Sequence, residues 1–142
     1  MANYAWFTKA HRFVYENTGG RIGHYLGKGR CMALMYTIGA KSGEVRAIPL
    51  MYYPIVENGI VVLASNNGQD KHPAWYHNLK AHPEIDVRVG TEKRRVRAEE
   101  VGDEKRDELW QKMVAYNPEA AVYQSRTQRK IPIMLLRTLS VY

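Results

Sequence analysis

A single cysteine, Cys31, stands among 142 residues, so no disulfide can form within the chain. That is the habit of proteins kept in a reducing compartment, and a cytoplasmic setting is the expectation. Cys31 opens an apolar run, where a free thiol acts as a small buried hydrophobe rather than a nucleophile. No apolar stretch approaches the roughly 20 residues needed to span a bilayer. The N-terminal MANYAWFTKAHRF has neither a continuous apolar core nor a small-residue cleavage site, so no signal peptide is expected. Metal motifs are also missing. There is no Cys-x-x-Cys or His-x-x-x-His, and His72, His77 and His82 recur every five residues. That spacing sets successive rings about 140° apart around a helix, and no zinc or iron site is expected. No Gly-x-Ser-x-Gly elbow surrounds Ser42 or Ser65, and no pair of acids suited to glycoside chemistry stands out.

Negative charge is in short supply. The formal net charge is +7 and the pI near 9.6, which implies an anionic partner: nucleic acid, lipid headgroups or a polyanionic small molecule. The cations are scattered, with no run longer than Lys93-Arg94-Arg95, and without a concentrated basic stripe nucleic acid is not expected.

What is present is ordinary globular composition, 45% hydrophobic and 25% charged, enough for one domain over residues 1–142 with a single sizeable core. Apolar residues Trp6, Phe7, Ala10, Phe13 and Val14 recur at helical spacing between Tyr4 and Asn17, opposite Thr8, Lys9, His11, Arg12 and Glu16. Residues 1–17 therefore read as an amphipathic helix with the first group facing inward. Residues 21–30 form a basic, glycine-punctuated loop with a short helical turn. Strands follow over 31–38, 45–56 and 60–64, the second carrying Pro49 and Pro54, which points to an edge, a bulge or an end. Asn58-Gly59 is a tight-turn pair. A helix over 73–81, strands over 85–89 and 94–100, a helix over 103–116 capped by Asp103, a weaker helix over 119–127 and a strand over 131–137 complete the chain. Hairpins dominate and βαβ units are absent. The fold class is α+β, with about six mostly antiparallel strands curled into a barrel and helices at the periphery.

Two stretches carry candidate chemistry. Gly39-Ala40-Lys41-Ser42-Gly43 lacks the order of a Walker loop, yet Lys41, the Ser42 hydroxyl, turn amides and Arg46 form the elements of an anion cradle. An ordinary hairpin turn with two solvated cations is the plain alternative. Ser65 to Leu79, SNNGQDKHPAWYHNL, leaves an apolar strand, crosses a polar turn and enters an aromatic helix at Pro73. Trp75, Tyr76 and Leu79 suit core packing, and equally a ligand wall. Tyr116 and Tyr123 flank the second helical insertion, each offering a flat face and a hydroxyl.

In order, Gly39 to Gly43 with Arg46 and Pro49, Ala64-Ser65-Asn66-Asn67-Gly68, His72-Pro73-Ala74-Trp75-Tyr76-His77-Asn78-Leu79, Lys80 to Pro83, Tyr123-Gln124 and Arg129 to Ile133 resemble the deazaflavin-dependent nitroreductase family over roughly residues 18–137. The resemblance implies a split β-barrel of the FMN-binding, flavin-reductase type. It also implies binding of coenzyme F420, an 8-hydroxy-5-deazaflavin, and hydride transfer to a small electron-poor acceptor such as a quinone, nitroaromatic or activated enone. Lys41, Ser42 and Arg46 would hold the coenzyme phosphate. Pro49, Leu50, Met51, Leu63, Ala64, Ser65 and Asn66 would line its ring, and Ala74, Trp75, Tyr76, His77 and Asn78 would close over it. Tyr123 and Ser65 would orient the acceptor or supply its proton. The chain departs from the pattern at Ala40, where an arginine is common, at Asn67, where glycine is frequent, and at Glu119, Ala120 and Ala121, where some members carry tyrosines. Acceptor preference is therefore not carried over. Two other readings stay open: a split barrel that binds FMN or haem, and a basic module that meets a membrane surface through the N-terminal helix.

Overall fold

The structure, a computed structural model, describes residues 2–18 and 30–142, with the backbone alone for residues 2–8. The loop expected over 21–30, apart from Arg30, and the side chains of Trp6 and Phe7 lie outside the described residues. Helix α1 (Ala2–Asn17) leads to strands β1 (Cys31–Ile38), β2 (Val45–Tyr52) and β3 (Gly59–Leu63). Helix α2 (Ala74–Ala81) then precedes β4 (Glu84–Val89) and β5 (Glu92–Glu100), and α3 (Asp103–Tyr116) and α4 (Glu119–Ser125) precede β6 (Ile133–Val141). The six strands form one sheet in the order β2-β1-β4-β5-β6-β3, every pair antiparallel. Its two edges meet once, where Tyr53 and Val61 exchange backbone hydrogen bonds of 2.8 and 3.2 Å. The curled sheet is thus a split barrel of six strands: the strand number and curl match the residue pattern, and the split matches what the family resemblance implied.

Side chains alternate across the strands as the pleat requires. Met35, Ile60, Val62, Val87, Val96 and Leu136 fill the barrel interior, and Tyr76 and Leu79 of α2 join them. The outward residues Val61, Leu63 and Ile133 pack beneath α3 and α4 against Leu109, Met113 and Ala120. Strand β2 stops at Tyr52 rather than Val56, since Pro54 has no N–H with which to extend a ladder. Strand β6 runs to Val141, beyond the expected Arg137, because β5 pairs with it as far as Arg94↔Val141. Helix α3 begins at Asp103 with Gly102 as its cap residue, so Asp103 lies in the first turn, where its charge suits the helix dipole.

The face of α1 differs from the expectation. Phe13 is 65% exposed and Val14 half-exposed, whereas His11 and Tyr15, one turn apart, are buried. Polar anchoring decides the rotation. The Tyr15 hydroxyl accepts from Gly90 N at 2.9 Å and donates toward Met32 O at 3.0 Å and Arg88 O at 3.2 Å. Burial pushes its pKa up to about 12, so it stays a donor throughout ordinary pH. Replacing Tyr15 by Phe strands these partners, and an unsatisfied buried group costs about 1–3 kcal/mol. Urea denaturation of Tyr15→Phe is expected to show a loss in that range, with the m-value unchanged.

Candidate active site

Beyond the Tyr53–Val61 bridge, β2 and β3 part. The register of that bridge would set Met51 opposite Leu63, but among the described residues no ladder forms there. Pro49 brings to this edge strand a residue without an N–H. The gap holds a cavity of about 390 Å³, within the size range of small-molecule sites. Ile48, Pro49, Leu50 and Met51 of β2 make one wall, with Met32 of β1 beside them. Leu63, Ser65, Asn66 and Asn67 make another, Pro73 and Trp75 stand at the start of α2, and Glu119 and Tyr123 come from α4. His11, Arg30 and Tyr53 complete the lining.

The loop after β3 is the most constrained part of this wall. Asn66, Asn67 and Gly68 take φ of 47°, 56° and 76° in succession, a left-handed run that closes a 3-10 turn. Asparagine is the residue besides glycine that best tolerates this region, which suits Asn66 and Asn67 to it. Gly68 has a further reason: a Cβ there would sit 2.7 Å from Arg126 Cβ and 2.9 Å from Tyr123 O. The loop thus lies directly on α4. Arg129 holds it from behind, donating to Ser65 O at 2.8 Å, Ala64 O at 3.1 Å and Gln69 O at 2.7 Å, with His72 Nδ1 2.9 Å from its remaining nitrogen. Gln124 in turn fixes the Arg129 segment, donating to Arg129 O at 2.7 Å and accepting from Ile131 N at 3.1 Å. Burial, then Arg129, then His77 hold the His72 pKa below its usual value, so His72 is the neutral acceptor of this contact.

Of the residues expected at the site, Pro49, Leu50, Met51, Leu63, Ser65, Asn66, Trp75 and Tyr123 come together around the cavity. Ala64 is fully buried behind them. Tyr76 turns away into the barrel core, where its hydroxyl donates to the Glu100 carboxylate. Ala74 and His77 are exposed on α2, with the His77 ring edge-on to Tyr76. Asn78 faces the Gly39–Gly43 turn instead, its Oδ1 accepting from Ala40 N at 3.0 Å, which ties that turn to α2. In the turn itself, Ser42 Oγ accepts from Glu44 N at 3.1 Å. Lys41 and Arg46 are exposed, and neither makes an ion pair among the described residues.

Sequence reasoning missed Tyr53, His11, Arg30 and the supporting role of Arg129. Arg129 lay within a motif already singled out, and a basic residue six past the Tyr123 pair was its only signal. Tyr53 read as one more strand residue. Glu119 had been noted only as a departure, and here it pairs with Arg30 at 3.8 Å, both partly exposed, a contact worth little energy but able to set charge at the rim.

The model of the family described as F420H(2)-dependent quinone reductase matches residues 6–138. The chain is 37% identical over 131 residues to an F420H(2)-dependent quinone reductase of Mycobacterium tuberculosis, spanning 90% of this chain and 87% of that protein. A solved structure described as an F420-H2 dependent reductase is similar with a TM-score of 0.66 at 38% identity, over 75% of this chain and 93% of that one. Another, described as a domain-swapped dimer, gives a TM-score of 0.68 at 34% identity, over 88% of this chain and 97% of that one.

The loop's dependence on Arg129 is testable. Lysine keeps the charge but not the planar set of donors. Arg129→Lys is expected to lose about 1–3 kcal/mol in denaturant titrations, and amide exchange at Gly68 and Gln69 to speed up. The depressed His72 pKa has a signed consequence. The unfolded chain binds a proton at this residue near pH 6.5 and the folded chain only below it, so stability is lost as pH falls through that window. The drop in Tm between about pH 7.5 and about pH 5.5 is expected to be smaller in His72→Asn than in the unaltered protein.

Proposed function

The chain belongs to the F420H(2)-dependent quinone reductase family, and from that membership we propose that it oxidises F420H2 and reduces a quinone within the cavity between β2 and β3. The observation that carries this reading is the pairing of an apolar cleft with two exposed cations, unpaired among the described residues, one in the turn tethered to its cover helix and one at the start of β2. An anionic coenzyme with a flat ring fits that donor set: apolar contact from Pro49, Leu50, Met51 and Leu63, charge from Lys41 and Arg46. The overall reaction converts F420H2 and quinone to oxidised F420 and hydroquinone. When bound, the reduced coenzyme supplies the hydride.

The protein's own residues position, shield and hold protons. Lys41 and Arg46, with Ser42 shaping the turn, would hold the coenzyme phosphate through charged hydrogen bonds. The Ala40–Asn78 hydrogen bond makes binding at the turn bear on α2, whose Trp75 walls the cavity. Ser65 and Tyr123 bring hydroxyls to the lining from two different elements and orient the quinone oxygens. Apolar walls exclude water from the ring face.

A specific observation favours a lipid-soluble quinone. Phe13 and Val14 stand exposed on α1 while His11 of the same helix lines the cavity. Among the described residues no helix is long and apolar enough to cross a membrane. Peripheral contact of α1 with an anionic bilayer, from the cytoplasmic side, would bring the cavity to such a substrate.

Purified protein is expected to quench F420 fluorescence and to oxidise F420H2 when menadione is added. Tight FMN binding without any response to F420 would replace the coenzyme assignment. Lys41→Ala and Arg46→Ala are each expected to weaken coenzyme binding about tenfold or more, the size of a charged hydrogen bond. Tyr123→Phe and Ser65→Ala should lower turnover, and turnover unchanged in both removes their assigned role. Co-sedimentation with anionic liposomes is expected to fall in Phe13→Ser, and absence of sedimentation in the unaltered protein would end the membrane reading.

A further inference from the structure

Tyr53 presents an anomaly that the preceding roles leave unused. Its side chain is fully buried, it lines the cavity, and its hydroxyl has no hydrogen-bond partner among the described residues. Buried polar groups are paired in the great majority of cases, and an exception calls for a cause. The rest of the ring is well settled. It packs edge-on against Tyr116 at 6.1 Å within the cluster of Val61, Leu63 and Met113. Its backbone makes the one bridge that closes the barrel among the described residues. An aromatic core residue needs no hydroxyl there, because phenylalanine would fill the same space without an orphaned donor.

The surroundings of the residue bear on the cause. Tyr53 lies where the strands begin to part, at the closed end of the split, and Tyr123 and Glu119 of the cavity lining are the groups whose charge it feels. We propose that the Tyr53 hydroxyl is the hydrogen-bond donor to a carbonyl oxygen of the bound acceptor, fixing the quinone at the closed end of the cavity. This rests on the quinone reductase reading above.

Chemistry separates its role from that of a proton source. Burial, and then Tyr123 and Glu119, push its pKa upward, so a phenolate there is strongly disfavoured. Tyr53 therefore keeps its proton and holds the quinone oxygen as negative charge grows on it during hydride arrival, the manner of an oxyanion-hole donor. Such a donor acts most strongly where water is excluded, which the apolar surroundings provide.

Tyr53→Phe tests this because it removes only the unpaired atom. Ligand-free stability in urea is expected to be unchanged or slightly higher, F420 affinity unchanged, and kcat/KM for menadione reduced about tenfold or more. A readout independent of turnover is the infrared carbonyl stretch of 13C-labelled menadione bound beside oxidised coenzyme. It should lie lower in the unaltered protein and move up in Tyr53→Phe. A folded Tyr53→Phe protein with unaltered kcat/KM and an unaltered stretch would overturn the assignment. So would a loss of ligand-free stability with kinetics unchanged, which would make the hydroxyl a structural group. Failure of the unaltered protein to reduce menadione or any other quinone is a separate result. It would remove the quinone reductase reading, and this inference with it.

Discussion

The cavity depends on β2 and β3 being joined at one point. An antiparallel sheet gains from every added rung, and a barrel that zipped shut along the whole seam would have no interior site. The Tyr53–Val61 bridge holds the edges together at one end. Past it, Pro49 stands in β2, and β3 gives way to a loop that bends in the left-handed sense. The separation exposes two strand edges, and proteins must cover such edges or leave them as sites of unwanted pairing. Here the aromatic start of α2 and the tip of α4 flank the gap, so the elements that protect the edges also wall the cavity.

That arrangement moves the burden of rigidity onto a loop that is poor in regular hydrogen bonds. Consecutive positive φ at Asn66 and Asn67 is strained for residues with a side chain, and such strain persists only where surroundings over-determine it. The determination comes from side chains distant in sequence. Arg129 ties Ala64, Ser65, Gln69 and His72, Arg126 donates to Asn67 Oδ1 at 3.0 Å, and Thr127 donates to Asp70 at 2.7 Å. The segment from α4 to β6 acts as a back plate for the wall. Gln124 in turn stiffens the plate, so a residue with no place in the cavity lining helps determine where Ser65 stands.

How much of this could be read beforehand follows from what periodicity and residue chemistry encode. Alternation along β4 and β5 and the Asn-Gly pair marked the hairpins, because burial on one face imposes a period of two. Proline at positions 49 and 54 marked an edge, a bulge or an end, because a missing N–H is a local property, and β2 proves to be an edge strand that ends before Pro54. The split itself was not visible in residue pattern, since it is an absence of pairing between strands, and it came only with the family likeness. The face of α1 was misjudged for a related reason. Apolar spacing favoured burying Phe13 and Val14, but three backbone partners waiting at Met32, Arg88 and Gly90 captured the Tyr15 hydroxyl and turned the helix. A hydrogen-bond site assembled from distant strands leaves no trace in the spacing of a single helix. Tyr76 divides from Trp75 in the same way. Neighbours on α2 must point apart, and the Glu100 carboxylate in reach of Tyr76 decides which ring enters the barrel.

Part of the net charge of +7 can be placed on the structure. Along β4, β5 and β6 many cations are answered by a neighbouring acid. Asp86 faces Lys93 and Arg95, Glu84 faces Arg97, Glu92 faces Arg94 and Glu99 faces Arg137. Exposed pairs of this kind add little stability, but they cancel field at long range. Among the described residues Lys41 and Arg46 have no such counterpart; Lys41 sits in the turn that Asn78 fastens to the cover helix and Arg46 just beyond it in β2. Two exposed cations therefore lie on the hairpin whose second strand, β2, walls the apolar cleft. A planar ring with an anionic tail matches that combination better than a nucleic-acid backbone, which needs a continuous track of cations to follow. The same uncancelled charge would draw the tail to the turn before the ring enters, so that electrostatics guides approach and the apolar walls govern the final fit.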